Sequence, residues 1–327
     1  MARRACAVLA IALGACGNAH EPSPLPGRAS GSGGSAGPGA AGSAGPRTTG
    51  SAAGGCEPLP FAVSSPVPEA SGAAWFTLDG RRVLVIVGDS GNHGAYGVVD
   101  PDTGATTETG RLPLGDGAHG AVNDDIEGLA ARGDRLYGLT SSGWIRVWQR
   151  SGAGFALVDG PYAFGPIDLP DRKSNDRPPD GDGMVCGGGT VNCGRNYEGL
   201  CLAPAPGSGA CAGFAAAKAD GHLYCVTEQA GRLAVHHDRA IEVTRPGALA
   251  DCAFSDDGAL WAGSNLFDLG RVYRVTGWDD PAHARAELVG ALPIGFPEVV
   301  AARGDVVYRM SDMGGAPSLM ARFRCPR

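Results

Sequence analysis

Long apolar runs are missing from this sequence, and so are several charge and metal-ligand patterns. No stretch beyond residue 15 approaches the ~20 apolar residues of a membrane-spanning helix, so no such helix is expected in the processed chain. The formal net charge of -7 opposes binding to nucleic acid, whose backbone attracts basic surfaces. No Cys-x-x-Cys pair occurs and the histidines are not interleaved with cysteines, so a zinc site is not expected.

Aromatic residues and helical periodicity are also scarce. Only 6% of the residues are aromatic, so a core has to be built mainly from Val, Leu, Ala and Ile. No segment after residue 55 has a long apolar stripe of helical period with caps. The continuous apolar run 83–87 and the alternating run 144–148 are typical of strands, and Gly-containing turns separate such runs. Residues 56–327 are therefore predicted to be all-β.

The N-terminus has the pattern of an export signal. Arg3 and Arg4 precede a short apolar stretch, which is too short to span a bilayer as a helix. This stretch runs into residues 13–16, Leu-Gly-Ala-Cys, which resemble the bacterial lipoprotein signal. The resemblance implies that residues 1–15 are removed and that Cys16 is lipidated, with an ordinary secretory cleavage nearby as the alternative. We therefore expect a lipid-anchored protein of the cell envelope, at the outer membrane or the cell surface.

Residues 16–55 are predicted to be a disordered tether. Of the 39 residues from 17 to 55, 31 are Gly, Ser, Ala or Pro. Such a segment cannot bury enough apolar surface to offset its chain entropy. As a flexible coil it spans roughly 35 Å, which is enough to hold a folded domain clear of a membrane surface.

A short pattern recurs five times in the remaining chain. Each copy has a carboxylate, an apolar run, a turn with Gly or Asp, and a second apolar run. The carboxylates are Glu69, Glu127, Glu198, Asp251 and Glu298. Repeats of ~40–50 residues with short strands are typical of β-propeller blades. The sequence therefore predicts a single β-propeller of five or six four-stranded blades, with residues 165–196 as either an irregular insertion or a degenerate sixth blade.

Carboxylates at one point of each blade are predicted to converge at the mouth of the central channel. Several ionised groups at one axis repel each other, so they have to bind a cation or take up protons. Oxygen ligands without nitrogen or sulfur favour a hard cation such as Ca²⁺. We therefore predict a metal site formed by Glu127, Glu198, Asp251 and Glu298. Glu69, which lies in the least regular copy, is its fifth predicted member. The alternative is that each acid caps a turn or accepts hydrogen bonds from backbone amides.

A second tier of polar residues follows the next strand of each copy. It comprises Asp89, Glu228, Asn265 and Asp312. Equivalent placement would put these side chains on the same face as the first carboxylates. Asp, Asn and Ser also form turns readily, so turn formation is the alternative.

The cysteines indicate disulfides. Eight remain after Cys6, which leaves with the signal, and Cys16, and an even number in an exported chain is typical of paired cysteines. Their pairing is open, since eight cysteines allow 105 connectivities. Cys56 and Cys325 lie at the two ends of the folded part, where a bridge would lock a closed ring. Cys186 with Cys193 would close a small Gly-rich loop.

Two phrases carry a resemblance to a known family. Residues 125–130, Asp-Ile-Glu-Gly-Leu-Ala, and 196–200, Asn-Tyr-Glu-Gly-Leu, resemble the signature of esterase-like phytase propellers and the related SdiA-regulated proteins. Residues 226–228, Val-Thr-Glu, resemble a strand-ending Glu of the same families. The resemblance implies an exported propeller with Ca²⁺ in or near its channel, sometimes with phosphoesterase activity. Residues 263–265 and 270–275 are in turn similar to strands of lactonase-type propellers.

The sequence departs from a calcium phytase in its basic residues. A phosphate site needs several Lys or Arg side chains near the carboxylates, and no basic cluster lies beside the motifs. Arg195 is the nearest candidate. The chain has only two lysines, Lys173 and Lys218, against 25 arginines, a skew that we attribute to a GC-rich genome.

Two functions follow from these patterns. One is a monomeric, non-catalytic propeller that binds Ca²⁺ and a ligand at its carboxylate-lined mouth. The other is a Ca²⁺-dependent hydrolase, phosphoesterase-like or lactonase-like, with Glu198 and Glu127 as the catalytic candidates. A surface interaction protein that uses the loop 165–196 is a third class.

Overall fold

The fold is known from a computed structural model. It describes residues 55–116, 123–173, 180–188, 190–204, 211–244, 248–265, 270–314 and 316–326. The predicted signal peptide 1–15, the lipidation site Cys16 and the tether up to residue 54 lie outside these ranges. Across the described ranges every regular element is a β-strand, as predicted. No helix in this part of the chain has the length and hydropathy of a membrane span.

The first half of the chain forms two antiparallel sheets of four strands. Two short strands come first, β1 (Glu57–Leu59) and β2 (Ser64–Pro68). The first sheet contains β3 (Ala70–Leu78), β4 (Arg81–Gly88), β5 (Ala95–Val99) and β6 (Thr106–Arg111). The second contains β7 (Ile126–Arg132), β8 (Arg135–Thr140), β9 (Trp144–Ser151) and β10 (Gly154–Ala163).

The insertion between the second and third sheets is not a blade. Its described part holds one parallel pair, β11 (Ile167–Leu169) and β12 (Val185–Cys186). Of the predicted five or six blades, the described chain therefore has five.

The third and fourth sheets repeat the same order. The third contains β13 (Tyr197–Leu202), β14 (Gly213–Ala217), β15 (His222–Gln229) and β16 (Arg232–Glu242). The fourth contains β17 (Leu249–Phe254), β18 (Leu260–Ser264), β19 (Arg271–Thr276) and β20 (Arg285–Ala291). In each sheet the strand order in space follows the order along the chain, which is the up-and-down arrangement of a propeller blade.

The fifth sheet joins the two ends of the chain. It contains β21 (Phe296–Arg303), β22 (Val306–Asp312), β23 (Pro317–Arg324) and, as its outer strand, β1 from the start of the domain. The inner strands β3, β7, β13, β17 and β21 pack against one another in sequence, and β21 packs against β3. The five blades thus close into a ring.

Neighbouring inner strands approach closely because glycines lie at their contacts. A Cβ on Gly128 would lie 2.5 Å from the backbone nitrogen of Leu200 on the next inner strand. A Cβ on Gly199 would lie 2.4 Å from the Asp251 carboxylate on the strand after that. The Glu-Gly phrases of the sequence therefore supply the close contact between blades as well as the acidic side chain.

Four disulfides join all eight cysteines of the folded part. Two are the pairs that the sequence suggests, Cys56–Cys325 across the ring closure and Cys186–Cys193 in the insertion. Cys201–Cys252 joins two neighbouring inner strands, and Cys211–Cys225 lies within the third blade. A chain with this many bridges belongs to an oxidising environment, which agrees with export.

The Cys56–Cys325 bridge should make the largest contribution of the disulfides that the sequence suggests. It closes a separation of 269 residues, whereas Cys186–Cys193 closes 7. Replacing both Cys56 and Cys325 with Ser should lower the free energy of unfolding by about 2–5 kcal/mol, because the unfolded chain gains loop entropy. The same double change at Cys186 and Cys193 is the control with a smaller expected loss. Urea unfolding measures both, and an equal loss in the two variants would contradict the ring-closure role.

Candidate metal and ligand site

The functional candidates are positioned by a β-bulge that recurs in every inner strand. Near the start of each inner strand, the pairing with the second strand skips one residue. The skipped residues are Ser71, Glu127, Glu198, Ala250 and Glu298. A bulge redirects the side chain of the extra residue, so these five positions form an equivalent ring at one end of the channel. We call this end the acidic mouth.

Three of the predicted carboxylates meet at the acidic mouth. Oxygen atoms of Glu127, Glu198 and Glu298 all lie within 4.8 Å of one another. All three side chains are buried. The other two equivalent positions hold Ser71 and Ala250, which carry no carboxylate. Ser71 donates its hydroxyl to the carbonyl of Ile126 at 2.6 Å. The structure thus brings together three of the five carboxylates that the repeat singled out.

Glu69 and Asp251 lie outside this cluster because neither occupies the bulge of its inner strand. Glu69 precedes the bulge of its blade by two residues, adopts a φ of 48°, and accepts a hydrogen bond from Asn92 at 2.9 Å. Asp251 follows its bulge by one residue. Its two oxygens accept backbone N–H bonds from Cys252 at 2.7 Å and Val300 at 2.8 Å. Asp251 therefore ties neighbouring inner strands together, which is the backbone-amide alternative.

A second acidic cluster shares Glu127 with the first. Oxygens of Asp89, Asp125 and Glu127 also lie within 4.8 Å of one another. Asp89 follows the end of β4, and Asp125 precedes β7 and accepts hydrogen bonds from the backbone N–H and hydroxyl of Ser141. Glu127 is therefore the junction of two groups of three carboxylates. Asp125 is a residue that the sequence reasoning did not single out.

Three of the four second-tier residues lie at the end of the second strand of their blades. Asp89, Asn265 and Asp312 lie at the acidic mouth as predicted from equivalent placement. The amide of Asn265 donates to Glu298 Oε1 at 3.2 Å. Burial is the main reason that the pKa values of Asp89 and Glu298 are raised, and the charge of Asp312 adds to both shifts. These three residues thus surround the carboxylate cluster.

The prediction for Glu228 is wrong, because this residue lies at the end of the propeller opposite the acidic mouth. It is near the end of β15, which is the third strand of its blade and therefore runs in the same direction as the inner strand. Its carboxylate forms an ion pair with Arg132, at the end of β7. The true second strand, β14, is short and consists of Gly, Phe and Ala, so the sequence does not mark it as a strand.

The position equivalent to Asp89 in the third blade is Lys218. Its ammonium lies 2.7 Å from Glu198 Oε2 and 3.3 Å from Glu298 Oε1, so it joins two members of the first cluster. Arg195, the cation that the sequence favoured, instead bonds Asp220 at 2.9 Å and the carbonyls of Gly181 and Gly183. A signal for Lys218 was present, since it is one of only two lysines in the chain.

Burial and mutual repulsion shift the acids of this site toward their protonated forms. Burial, together with the charge of Glu298 and against that of Lys218, raises the pKa of Glu198 to about 8. Burial and the charge of Asp125 raise the pKa of Asp89 to about 7. Burial and the surrounding acids hold the pKa of Glu127 well above its usual range. In each case burial is the largest cause and nearby carboxylates add to it, so a bound cation would favour the ionised forms.

The donors at the acidic mouth suit a hard divalent cation. Both clusters offer carboxylate oxygens alone, and Asn265 contributes an amide beside them. Glu198 Oε1 is buried and has no hydrogen-bond partner, so one oxygen of the cluster is unsatisfied. A buried acceptor without a partner is unfavourable, and a Ca²⁺ ion accepts six to eight such oxygens in loose geometry. The residues present therefore fit Ca²⁺.

Comparisons with known proteins concern the fold of this chain and not its activity. No protein-family model and no curated protein matches this sequence. Among solved structures, the chain is similar to Myxococcus xanthus glutaminyl cyclase, at 14% identity and a TM-score of 0.45, covering 83% of this chain and 95% of that one. It is similar to the calcium-binding protein regucalcin of Agrobacterium tumefaciens, at 11% identity and 0.43, covering 82% and 95%. Similarity this remote says nothing about the activity of this chain.

The Lys218 ammonium should stabilise the metal-free fold mainly at alkaline pH. Because the folded pKa of Glu198, about 8, lies above the ordinary 4.5, the folded state holds this proton more tightly, and stability falls as pH rises through about 8. Lys218→Met removes the cation that opposes this loss. We expect a destabilisation of about 1–3 kcal/mol at pH 8, discounted because Lys218 is partly exposed, and a smaller one at pH 5.

Thermal unfolding in the presence of a chelator measures this effect at both pH values. Lys173→Met is the matched control, because Lys173 is the other lysine of the chain and its side chain is exposed. A loss in Lys218→Met that is equal at pH 5 and pH 8 would contradict the electrostatic role.

Proposed function

We propose that this protein is an exported, lipid-anchored β-propeller that binds Ca²⁺ at the acidic mouth and, through that ion, an anionic or polar ligand. The observation that carries the proposal is the position of Glu127, which belongs to both three-carboxylate clusters. The fold brings Asp89, Glu198 and Glu298 from three other blades next to Glu127, so this proximity is not a consequence of local sequence. The propeller fold and its disulfides are compatible with an envelope protein that works outside the cytoplasm.

The first metal position in this proposal is the cluster of Asp89, Asp125 and Glu127. Lys218 already offsets negative charge at Glu198 and Glu298, whereas no ammonium or guanidinium contacts the oxygens of Asp89 or Glu127 in the described chain. The remaining negative charge is therefore concentrated on the Asp89 side. A ligand bound there would also lie close to Lys218, which supplies a positive charge for an anionic group.

Anchoring is proposed from the N-terminal signal. The lipid on Cys16 and the tether 16–55 would hold the propeller at the surface of a membrane while leaving the channel mouth accessible. The proposal treats the protein as a monomer without a nucleic-acid partner, in keeping with its net charge of -7.

Calcium should stabilise the protein because it binds the folded state and not the unfolded chain. At a Ca²⁺ concentration of ~100 times the dissociation constant, the free energy of unfolding should rise by ~2.7 kcal/mol. Glu127→Gln should reduce Ca²⁺ affinity at least about tenfold, because it neutralises a ligand shared by both clusters. Asp134→Asn is the control, since Asp134 is an exposed carboxylate on a turn after β7.

Isothermal titration with Ca²⁺ and thermal unfolding with and without a chelator test this prediction together. The proposal fails if the chelator-treated protein binds no Ca²⁺, or if Glu127→Gln binds Ca²⁺ as tightly as Asp134→Asn does.

A second candidate function is metal-dependent hydrolysis, and the pairing of Glu198 with Lys218 favours it. A bound Ca²⁺ would polarise a substrate oxygen and activate water. With its pKa near 8, Glu198 can hold or release a proton close to neutral pH, and its Oε1 has no partner. Lys218 would offset charge that develops on an ester or lactone oxygen. Lys218 also supplies a cation that the resemblance to esterase-like phytases requires and that the motifs themselves lack.

Hydrolysis is tested with p-nitrophenyl phosphate and simple lactones. The enzyme hypothesis expects turnover that requires Ca²⁺, stops with chelator, and falls at least about a hundredfold in Glu198→Gln, as for loss of a general acid or base. Glu198→Gln should keep Ca²⁺ binding at the Asp89 side, which separates loss of chemistry from loss of the metal. Absence of such turnover in the wild-type protein would leave the binding function alone.

A further inference from the structure

The end of the channel opposite the acidic mouth contains a separate cavity. All five inner strands line it with the residues beyond their bulges, among them Ala74, Leu129, Leu202, Ala253 and Ala301. Its volume is about 180 Å³. A cavity of about 150 Å³ is large enough to bind benzene, so this space suits the ring of a small aromatic molecule. We call this end the arginine mouth, after Arg82 and Arg132, which line it.

Among the described residues, the two charged side chains that line this cavity are both cations. Arg132, at the end of β7, forms an ion pair with Glu228 and donates to the carbonyls of Ala203 at 3.1 Å and Ala212 at 2.8 Å. Its Nε is buried and has no hydrogen-bond partner. An unpartnered buried donor is unfavourable unless something else accepts its hydrogen bond. Arg132 is thus fixed in position and keeps an unused donor.

Arg82 is the less constrained of the two cations. Its guanidinium lies 5.9 Å from the centre of the Trp75 ring, which also lines the cavity. Within the described chain no hydrogen bond or ion pair engages this guanidinium. Partial burial of the guanidinium lowers the pKa of Arg82, and the charge of Asp256 offsets only part of this shift. The arginine mouth therefore presents a cation without a close counter-ion beside an aromatic surface.

We propose that the arginine mouth binds a small oxyanion, a carboxylate or a phosphate monoester, that carries an apolar or aromatic body. The oxyanion would contact the Arg82 guanidinium, which matches the planar geometry of such groups. The apolar body would enter the cavity between the inner strands and lie near Trp75. This site is independent of the acidic mouth, because it needs no metal and uses none of the clustered carboxylates.

Benzoate, phenyl phosphate and the neutral analogue benzyl alcohol are the probes. Isothermal titration is carried out on the purified protein with a chelator present, so that a metal at the acidic mouth cannot contribute. We expect one benzoate or phenyl phosphate per chain and at least fivefold weaker binding of benzyl alcohol. The tighter of the two anions identifies the preferred head group.

Arg82→Gln should weaken binding of the anions at least fivefold and leave benzyl alcohol within twofold. Arg81→Gln is the matched control, because Arg81 is the neighbouring residue on β4 and acts on Asp100 rather than lining the cavity. Arg82 is exposed enough that its replacement should leave the melting temperature unchanged, which is checked in the same samples. Trp75→Phe should remove any tryptophan fluorescence change that benzoate causes.

Three results would overturn the site. The first is the absence of saturable anion binding when about 1 mM protein is titrated to a 20-fold excess of the anion. The second is equal affinity of the anions for Arg82→Gln and Arg81→Gln. The third is loss of anion binding in Glu127→Gln. The last result would place the anion at the acidic mouth instead. Failure of the Ca²⁺ experiments leaves this proposal unaffected, since every measurement here is made without metal.

Discussion

Buried like charges around one axis are the constraint on which the rest of this structure depends. The three bulged glutamates lose their hydration and repel one another, and a propeller cannot avoid this once its inner strands begin with acids. Lys218 offsets part of the repulsion, and Asn265 donates a hydrogen bond to Glu298. The remainder appears as raised pKa values at Glu127, Glu198 and Asp89. A hard cation or protons have to complete the balance.

Ring closure turns a local pattern into two chemically different ends. The five inner strands run in the same direction, so their first residues meet at one mouth and their last residues at the other. The first residues supply carboxylates, and the last residues supply Ala, Leu and the arginine of β7. A cation is therefore favoured at one end and an anion at the other. The outer strand β1 and the Cys56–Cys325 bridge hold this arrangement closed.

The residues that the sequence identified best are those whose repeats carry an unambiguous Glu at the bulge. Glu127 and Glu198 stand in Glu-Gly phrases, and Glu298 in a Pro-Glu-Val phrase. The repeat also predicts Asp251 and Glu69 in this ring, but they lie one and two residues away from the bulge. A slip of one residue sends a side chain to another face of the strand, and apolar patterns alone do not set the register this finely.

The same limit explains the misplaced Glu228 and the missing Lys218. Both errors follow from β14, whose Gly and Ala residues have weak strand propensity and conceal the second strand of the third blade. Once β14 is in place, Lys218 falls at its end and Glu228 moves to the opposite mouth. By itself, the sequence determined the β content, the five repeats, the paired ends of the domain and four of the five clustered acids, because these depend on local pattern and spacing. Only the tertiary structure decided the number of blades, the contact of Lys218 with two glutamates and the separation of the two mouths, because bulges and ring closure set distances between segments far apart in the chain.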